Sequence, residues 1–214
     1  MKIQHNLTPI VFEPWKGKHY KKPAVFGKRV LVLGESHYDW ESEKEKQIDQ
    51  MPLDQKRSLT QRCIQGQIDG TESFKFWTNI AATFLGHLPN SAEKKSFWHS
   101  VAFYNYVQSI VGFWARKRPT KELWLEAQTP FVNVLNDLKP EVIIVLGFEN
   151  WDNLPNLDGH AGPRIDGTRR GDIDTWHYPY SGGSCLAYRI RHPSSGAFSS
   201  KEWCPRVQRA ISLA

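Results

Sequence analysis

The chain has 214 residues, a formal net charge of +6, 40% hydrophobic residues and three cysteines, with a pI near 9.2. That length buries a sizeable core and predicts a single domain over residues 1–214. No stretch of about 18 apolar residues occurs, which argues against a transmembrane helix and a membrane partner.

Residues 1–15 lack the apolar centre of a secretory signal. Cys63, Cys185 and Cys204 offer neither a disulfide framework nor a CxxC metal pair, and so fit a reducing cytoplasm. A cytoplasmic monomer without metal or cofactor is the expectation. The basic excess falls in clusters around residues 16–22, 94–95, 116–121, 164–170 and 189–191, a pattern suited to a polyanion such as nucleic acid. Nine tryptophans add rings on which bases stack, although core packing accounts for most of them.

Along the chain, residues 1–27 carry Pro9, Pro14 and Pro23 and read as an irregular lead-in. Residues 30–33 (VLVL) form an apolar run closed by Gly34, as in a strand buried on both faces. Residues 39–68 are strongly polar and read as a mobile excursion with some helix. Residues 74–88 return to helical spacing through Phe74, Trp77, Ile80, Ala81, Phe84 and Leu85. Residues 101–107 (VAFYNYV) read as a second strand, with Asn105 at or just past its end.

Thr120 suits a helix N-cap, and Leu123, Trp124, Ala127, Phe131, Val134, Leu135 and Leu138 then recur helically. Pro130 predicts a kink or a division of that helix. Lys139 and Pro140 stop it, and residues 142–146 (VIIVL) are the third strand. A short helix at 148–157, a Gly-, Asp- and Arg-rich loop at 158–183 and a fourth strand at 186–190 complete the reading. Strands alternating with helices predict an α/β fold, a three-layer α/β/α domain around a central, mainly parallel four-stranded sheet. In such a sheet the polar residues after each strand share one edge, where ligands bind.

The residues at those strand ends carry a resemblance to the uracil-DNA glycosylase superfamily. Gly34, Glu35, Ser36, His37 and Tyr38 resemble the family's first motif, which reads GQDPY in one branch and GEAPG in another. Phe103, Tyr104 and Asn105 are similar to the strand whose terminal Asn reads a pyrimidine edge. The stretch from Leu138, Lys139 and Pro140 to Val145, Leu146 and Gly147 resembles the family's "kPkvivaLG" strand. His192, Pro193 and Ser194 match its HPS motif. Arg118 and Pro119, followed by Glu122, Pro130 and Phe131, follow the spacing of the iron–sulfur branch. The chain departs from the family in placing Ser36 where GQDPY has its water-activating Asp and His37 where both motifs have Pro. The four cluster-binding cysteines of the iron–sulfur branch are absent, so no iron–sulfur cluster is expected.

The resemblance implies a hydrolase acting in DNA repair, a DNA glycosylase that takes a base into a pocket and cuts its N-glycosidic bond. Glu35 then serves as the anion that orients water or stabilises the charged sugar, or else merely pairs with an Arg. His192 donates to the departing base oxygen. Asn105 reads the base edge, since its amide both donates and accepts. Phe74 or Phe76, with Phe74 preferred, stacks on the base, and Tyr38 walls the pocket. Ser194 contacts a DNA phosphate or caps a turn. His37 and Ser36 have no family counterpart in role, and His37 either supplies acid–base function or marks another substrate. Other readings stay open: an inactive nucleic-acid-binding module of the same fold, an esterase-like hydrolase built on Ser36 with Asn105 and His192, and a site of another hydrolase class built on Glu35 and His37.

Overall fold

The computed structural model describes residues 9–23, 25–38, 51–113, 117–165 and 174–214. At its centre is strand β2 (Val30–Gly34), every residue of which is buried. Two further strands pair with it in parallel, β3 (Ala102–Asn105) on one side and β4 (Val142–Leu146) on the other. Strand β7 (Gly183–Ile190) adds to β4, also in parallel. These four are the strands read from the sequence, and their apolar runs are what a two-sided burial requires.

The sheet is nonetheless larger than the expected four strands. It has seven, in the order β1-β3-β2-β4-β7-β6-β5, and it is mixed. Strand β1 (Trp15–Lys16) pairs antiparallel with β3 inside the expected lead-in. Strand β6 (Thr175–Tyr180) forms an antiparallel hairpin with β7, and β5 (His160–Ala161) closes the far edge against β6. The hairpin replaces part of the loop expected at 158–183. Pro179 disguised it, since proline is rare inside strands. It sits beyond the reach of β5, whose partners on β6 are Trp176 and His177, so its missing N–H costs no ladder bond. Gly182, at φ +88, supplies the left-handed turn.

Helices cover both faces, and alternate residues of each strand feed one side or the other. Val30 and Val32 pack with α1 (Leu53–Asp69), α2 (Lys75–Leu85), α3 (Ser91–Ser100) and α7 (Ser200–Leu213). Leu31 and Leu33 pack with α4 (Lys121–Glu126) and α5 (Gln128–Leu138). The helix expected within the excursion at 39–68 is α1, which takes up nearly all of its described part, and residues 39–50 lie outside the described residues. Only Thr60, Ile64 and Gln67 of α1 are buried, a stripe too narrow to stand out in so polar a sequence. Helix α3 was not expected, although Asn90 and Glu93 cap it reciprocally.

Pro130 does divide the expected helix. The break falls at Ala127, and the proline occupies the first turn of α5, where its missing N–H is harmless. Lys139 ends α5 in the left-handed conformation (φ 47). The expected helix at 148–157 is only one turn, α6 (Phe148–Asp152).

The turn after β1 is fastened to the end of α3. Gly17 N donates to Val101 O and His19 N donates to His99 O, at 3.0 and 2.8 Å. A Cβ on Gly17 would lie 2.4 Å from His99 O and 2.6 Å from Trp98 O, both backbone atoms that cannot swing away. Gly17→Ala is therefore expected to destabilise the protein by about 3 kcal/mol, the upper end of ordinary point substitutions. Urea unfolding checks this, and an unchanged midpoint would show that the turn relaxes freely.

Candidate functional site

The four parallel strands end at one edge of the sheet. There β2 runs into residues 35–38, β3 ends on Asn105, β4 is followed by Gly147, and β7 is followed by Arg191 and His192. Residues 34–37 keep their pairing with the neighbouring chain instead of looping out. Tyr106 N donates to Gly34 O, Val107 N to Glu35 O and Val111 N to His37 O, at 3.0, 2.9 and 3.2 Å. The backbone beneath Glu35 is thus as fixed as a strand.

Gly34 stands opposite Asn105 in the ladder. A Cβ at Gly34 would fall 2.0 Å from Asn105 Oδ1 and 2.8 Å from a ring carbon of Phe103, so the amide lies in the space that the glycine leaves. Asn105 is 5% exposed, and among the described residues no hydrogen bond reaches its side-chain amide. Its backbone carbonyl accepts from Gln108 Nε2 at 2.7 Å. Gln108 Oε1 in turn accepts from Val11 N and Phe12 N, tying the start of the described chain to this strand end.

Glu35 continues the alternation of Leu31 and Leu33, toward the face that α4 covers. It meets Arg118, which lies just ahead of the Thr120 N-cap. Arg118 Nη1 donates to Glu35 Oε2 at 2.8 Å and Oε1 at 3.1 Å, while its Nε faces Glu149 Oε2 at 3.1 Å. Burial raises the Glu35 carboxyl above its ordinary value, against the opposing pull of Arg118, and Glu149 adds to the rise. Burial works against the Arg118 charge as well, but Glu35 and Glu149 outweigh it and hold its pKa above the ordinary value. One guanidinium nitrogen on two carboxylate oxygens leaves each oxygen a further lone pair, so Glu35 keeps acceptor capacity beyond Arg118.

His192 is held from three sides. Its Nδ1 accepts from Ser194 N at 3.2 Å, which makes Nε2 the N–H-bearing nitrogen of the neutral ring. Phe76, in the first turn of α2, stacks on it with centroids 5.4 Å apart. Gly147, at φ +102, leaves its other neighbour without a side chain, since a Cβ there would lie 3.5 Å from His192 Cδ2. Asn79 Nδ2 donates to Pro193 O at 2.8 Å and fastens the turn to α2. Burial first, and the Arg118 charge second, push the imidazole down to about 4. The ring is therefore a neutral donor at neutral pH.

The remaining candidates divide. Tyr38 is half-buried, with its hydroxyl 3.4 Å from Lys117 O. Ser194 is exposed and contributes its backbone N–H to His192. Phe74 is 54% exposed at the N-cap of α2, and Phe76 is the ring that contacts His192. Ser36 Oγ is buried with no hydrogen-bond partner among the described residues. His37 lies against Phe12 and its Nε2 is 3.0 Å from Thr60 Oγ1, so it joins α1 to the strand end.

Sequence reasoning assigned no role to Arg118, although its spacing was noted, and missed Asn150 entirely. Asn150 is fully buried and its Nδ2 donates to Gly34 O at 3.0 Å, bracing the strand end from α6. A polar residue one turn after a buried strand was the available signal.

Among the described residues no group of three or more His, Cys, Asp or Glu side chains could hold a metal ion, and no helix is long and apolar enough to cross a membrane. The three cysteines are free thiols. No family model and no curated protein matches the chain.

Burial drives the His37 imidazole down to about 3. The folded state then keeps His37 neutral while the unfolded chain takes up a proton below its ordinary value of about 6.5. Its contribution to stability is full above that value and is lost as the pH falls toward about 3. His37→Gln should remove about 2 kcal/mol of the stability decline between roughly pH 7 and pH 5, read by urea unfolding. Equal declines in variant and parent would place the pH dependence on other groups.

Proposed function

We propose that the protein is a DNA glycosylase-like hydrolase that binds DNA, draws one nucleotide out of the stack and cuts its N-glycosidic bond. The observation that carries this reading is the placement of Glu35, Asn105 and His192 at the ends of β2, β3 and β7 at one edge of the sheet, with β4 between β2 and β7 followed by Gly147. An altered base such as uracil would be recognised by the unpaired amide of Asn105.

In the reaction, bond breaking leaves the electron pair on the base and positive charge on the sugar carbon. Glu35 opposes that positive charge or orients the attacking water. His192 Nε2–H hydrogen-bonds the base oxygen as it gains charge, and a neutral ring does this without first losing a proton. Water supplies the hydroxyl at the sugar carbon, and its proton goes to Glu35 or to the departing base. No cofactor enters the scheme. Lys117 and Arg191 stand at this end of the sheet as phosphate contacts, with Arg191 5.7 Å over the half-exposed Phe148 ring. A cytoplasmic monomer working in DNA repair belongs to the same proposal.

One observation favours the inactive binding module, namely that both Glu35 oxygens already face Arg118. The esterase-like reading has less support, because Ser36 Oγ has no base beside it and His37 is engaged with Thr60.

The test is a panel of oligonucleotides carrying uracil, hypoxanthine, xanthine and modified pyrimidines, scored for alkali-labile abasic sites. On the base that is cut, Glu35→Gln or His192→Ala should lower the single-turnover rate about 100-fold or more, with DNA affinity little changed. Asn105→Ala should relax the choice of base. No cleavage of any base would favour the binding module.

Arg118 gives a separate, directional check. It supplies the pull that lowers the Glu35 carboxyl, so Arg118→Gln lets burial raise it further. Glu35 is then protonated at higher pH, and the acidic limb of the single-turnover rate should move toward alkaline pH. An unmoved limb would remove Glu35 from the ionisation that limb reports.

A further inference from the structure

We propose a second, separate anion site at the opposite end of the sheet, in which Lys18, His19, Lys95 and His99 bind a phosphate group. Its geometry stands independently of the function proposed above.

The β3 strand runs from this region to the candidate site, and its three residue steps alone separate the two by about 10 Å. Residues 16–22 and 94–95 therefore do not flank Glu35 and His192, as a reading of the basic clusters as one surface requires. They gather where β3 begins. The backbone bonds from Gly17 and His19 to the end of α3, with the close approach of Gly17, hold the turn in one arrangement. That arrangement sets His19 edge-on to His99, with centroids 6.4 Å apart, and stacks Trp15 on the same ring at 6.0 Å.

His99 is 7% exposed, and its buried Nδ1 has no hydrogen-bond partner among the described residues. A buried polar atom left unpaired costs free energy, and a partner brought to this ring would recover it. Lys95 lies one helical turn before His99 on α3, and Lys18 adjoins His19, whose ring meets His99, so two lysines and a second imidazole gather around this ring and, after burial, lower its pKa. Lys16 is occupied by Asp137 at 3.1 Å, whereas no ion pair joins Lys18 or Lys95 to a carboxylate among the described residues.

Countering the end of α3 does not account for these charges. The helix carbonyls of Trp98 and His99 are already satisfied by Trp15 Nε1 at 2.7 Å and by His19 N. A phosphate oxygen group would neutralise the converging charge and accept from the lysine ammonium groups and the imidazole N–H.

Inorganic phosphate is the probe, titrated calorimetrically into the full chain at constant ionic strength. Lys18→Ala with Lys95→Ala should weaken binding at least tenfold while leaving the melting temperature close to the parent's. Phosphate should also raise the His99 midpoint in an NMR titration of the parent, and not in the double variant. A short single-stranded oligonucleotide that displaces phosphate identifies a nucleic-acid backbone as the source of the group. Failure to displace it identifies a free phosphate or a small phosphate ester. The proposal is overturned if millimolar phosphate leaves His99 unmoved, or if the double variant binds phosphate as the parent does. Neither outcome bears on base excision, which the Glu35 and His192 variants test alone.

Discussion

The parallel ladder β3-β2-β4-β7 is the constraint from which the rest follows. Its strands are buried on both faces, so hydrophobic side chains are required at almost every position within them. Polar chemistry is thereby pushed off the sheet and onto its ends. The register does the remaining work. Gly34 opposite Asn105, and Leu146 opposite Ile190, end the runs together, so that Asn105 closes β3 while Glu35 lies one residue past β2 and His192 two past β7. Glu35, Asn105 and His192 come to one edge of the sheet because the hydrophobic runs end together.

Removal from water acts on that edge in two directions. It raises the Glu35 carboxyl and lowers the His192 imidazole, so each group is biased toward its neutral form. Arg118 divides the two cases. Its charge opposes the rise at Glu35 and adds to the fall at His192. A single guanidinium thus favours the charged form of the carboxylate while adding to the burial that keeps the histidine uncharged. Glu149 draws on the same guanidinium and sets how strongly either effect is felt.

Much of the ladder was legible because buried strands leave uninterrupted apolar runs, and VLVL and VIIVL are hard to read otherwise. The polar residues after those runs were legible for the same reason. What escaped notice had weak or contradictory local signals. Helix α1 buries three residues, two of them polar, so its amphipathic pattern is faint. Strand β6 carries a proline that only its position past the end of β5 makes tolerable. Strands β1 and β5 are two residues each and have no periodicity to detect. Within the site, Arg118 and Asn150 act through contacts that join residues 83 and 116 positions apart. Such pairings are decided by the topology, and no local pattern encodes them.

The brevity of β1 and β5 has a consequence for the molecule among its own copies. A long open edge offers a row of unpaired amides and carbonyls on which another chain can build. Here the seven-stranded sheet tapers at each side to a strand of two residues, and Lys16 places a charge on one of them. The apolar strands of the centre lie at least one strand inward from either border. Among the described residues a neighbouring copy thus meets only short stretches of open edge, and Pro179 interrupts the one that β5 leaves on β6.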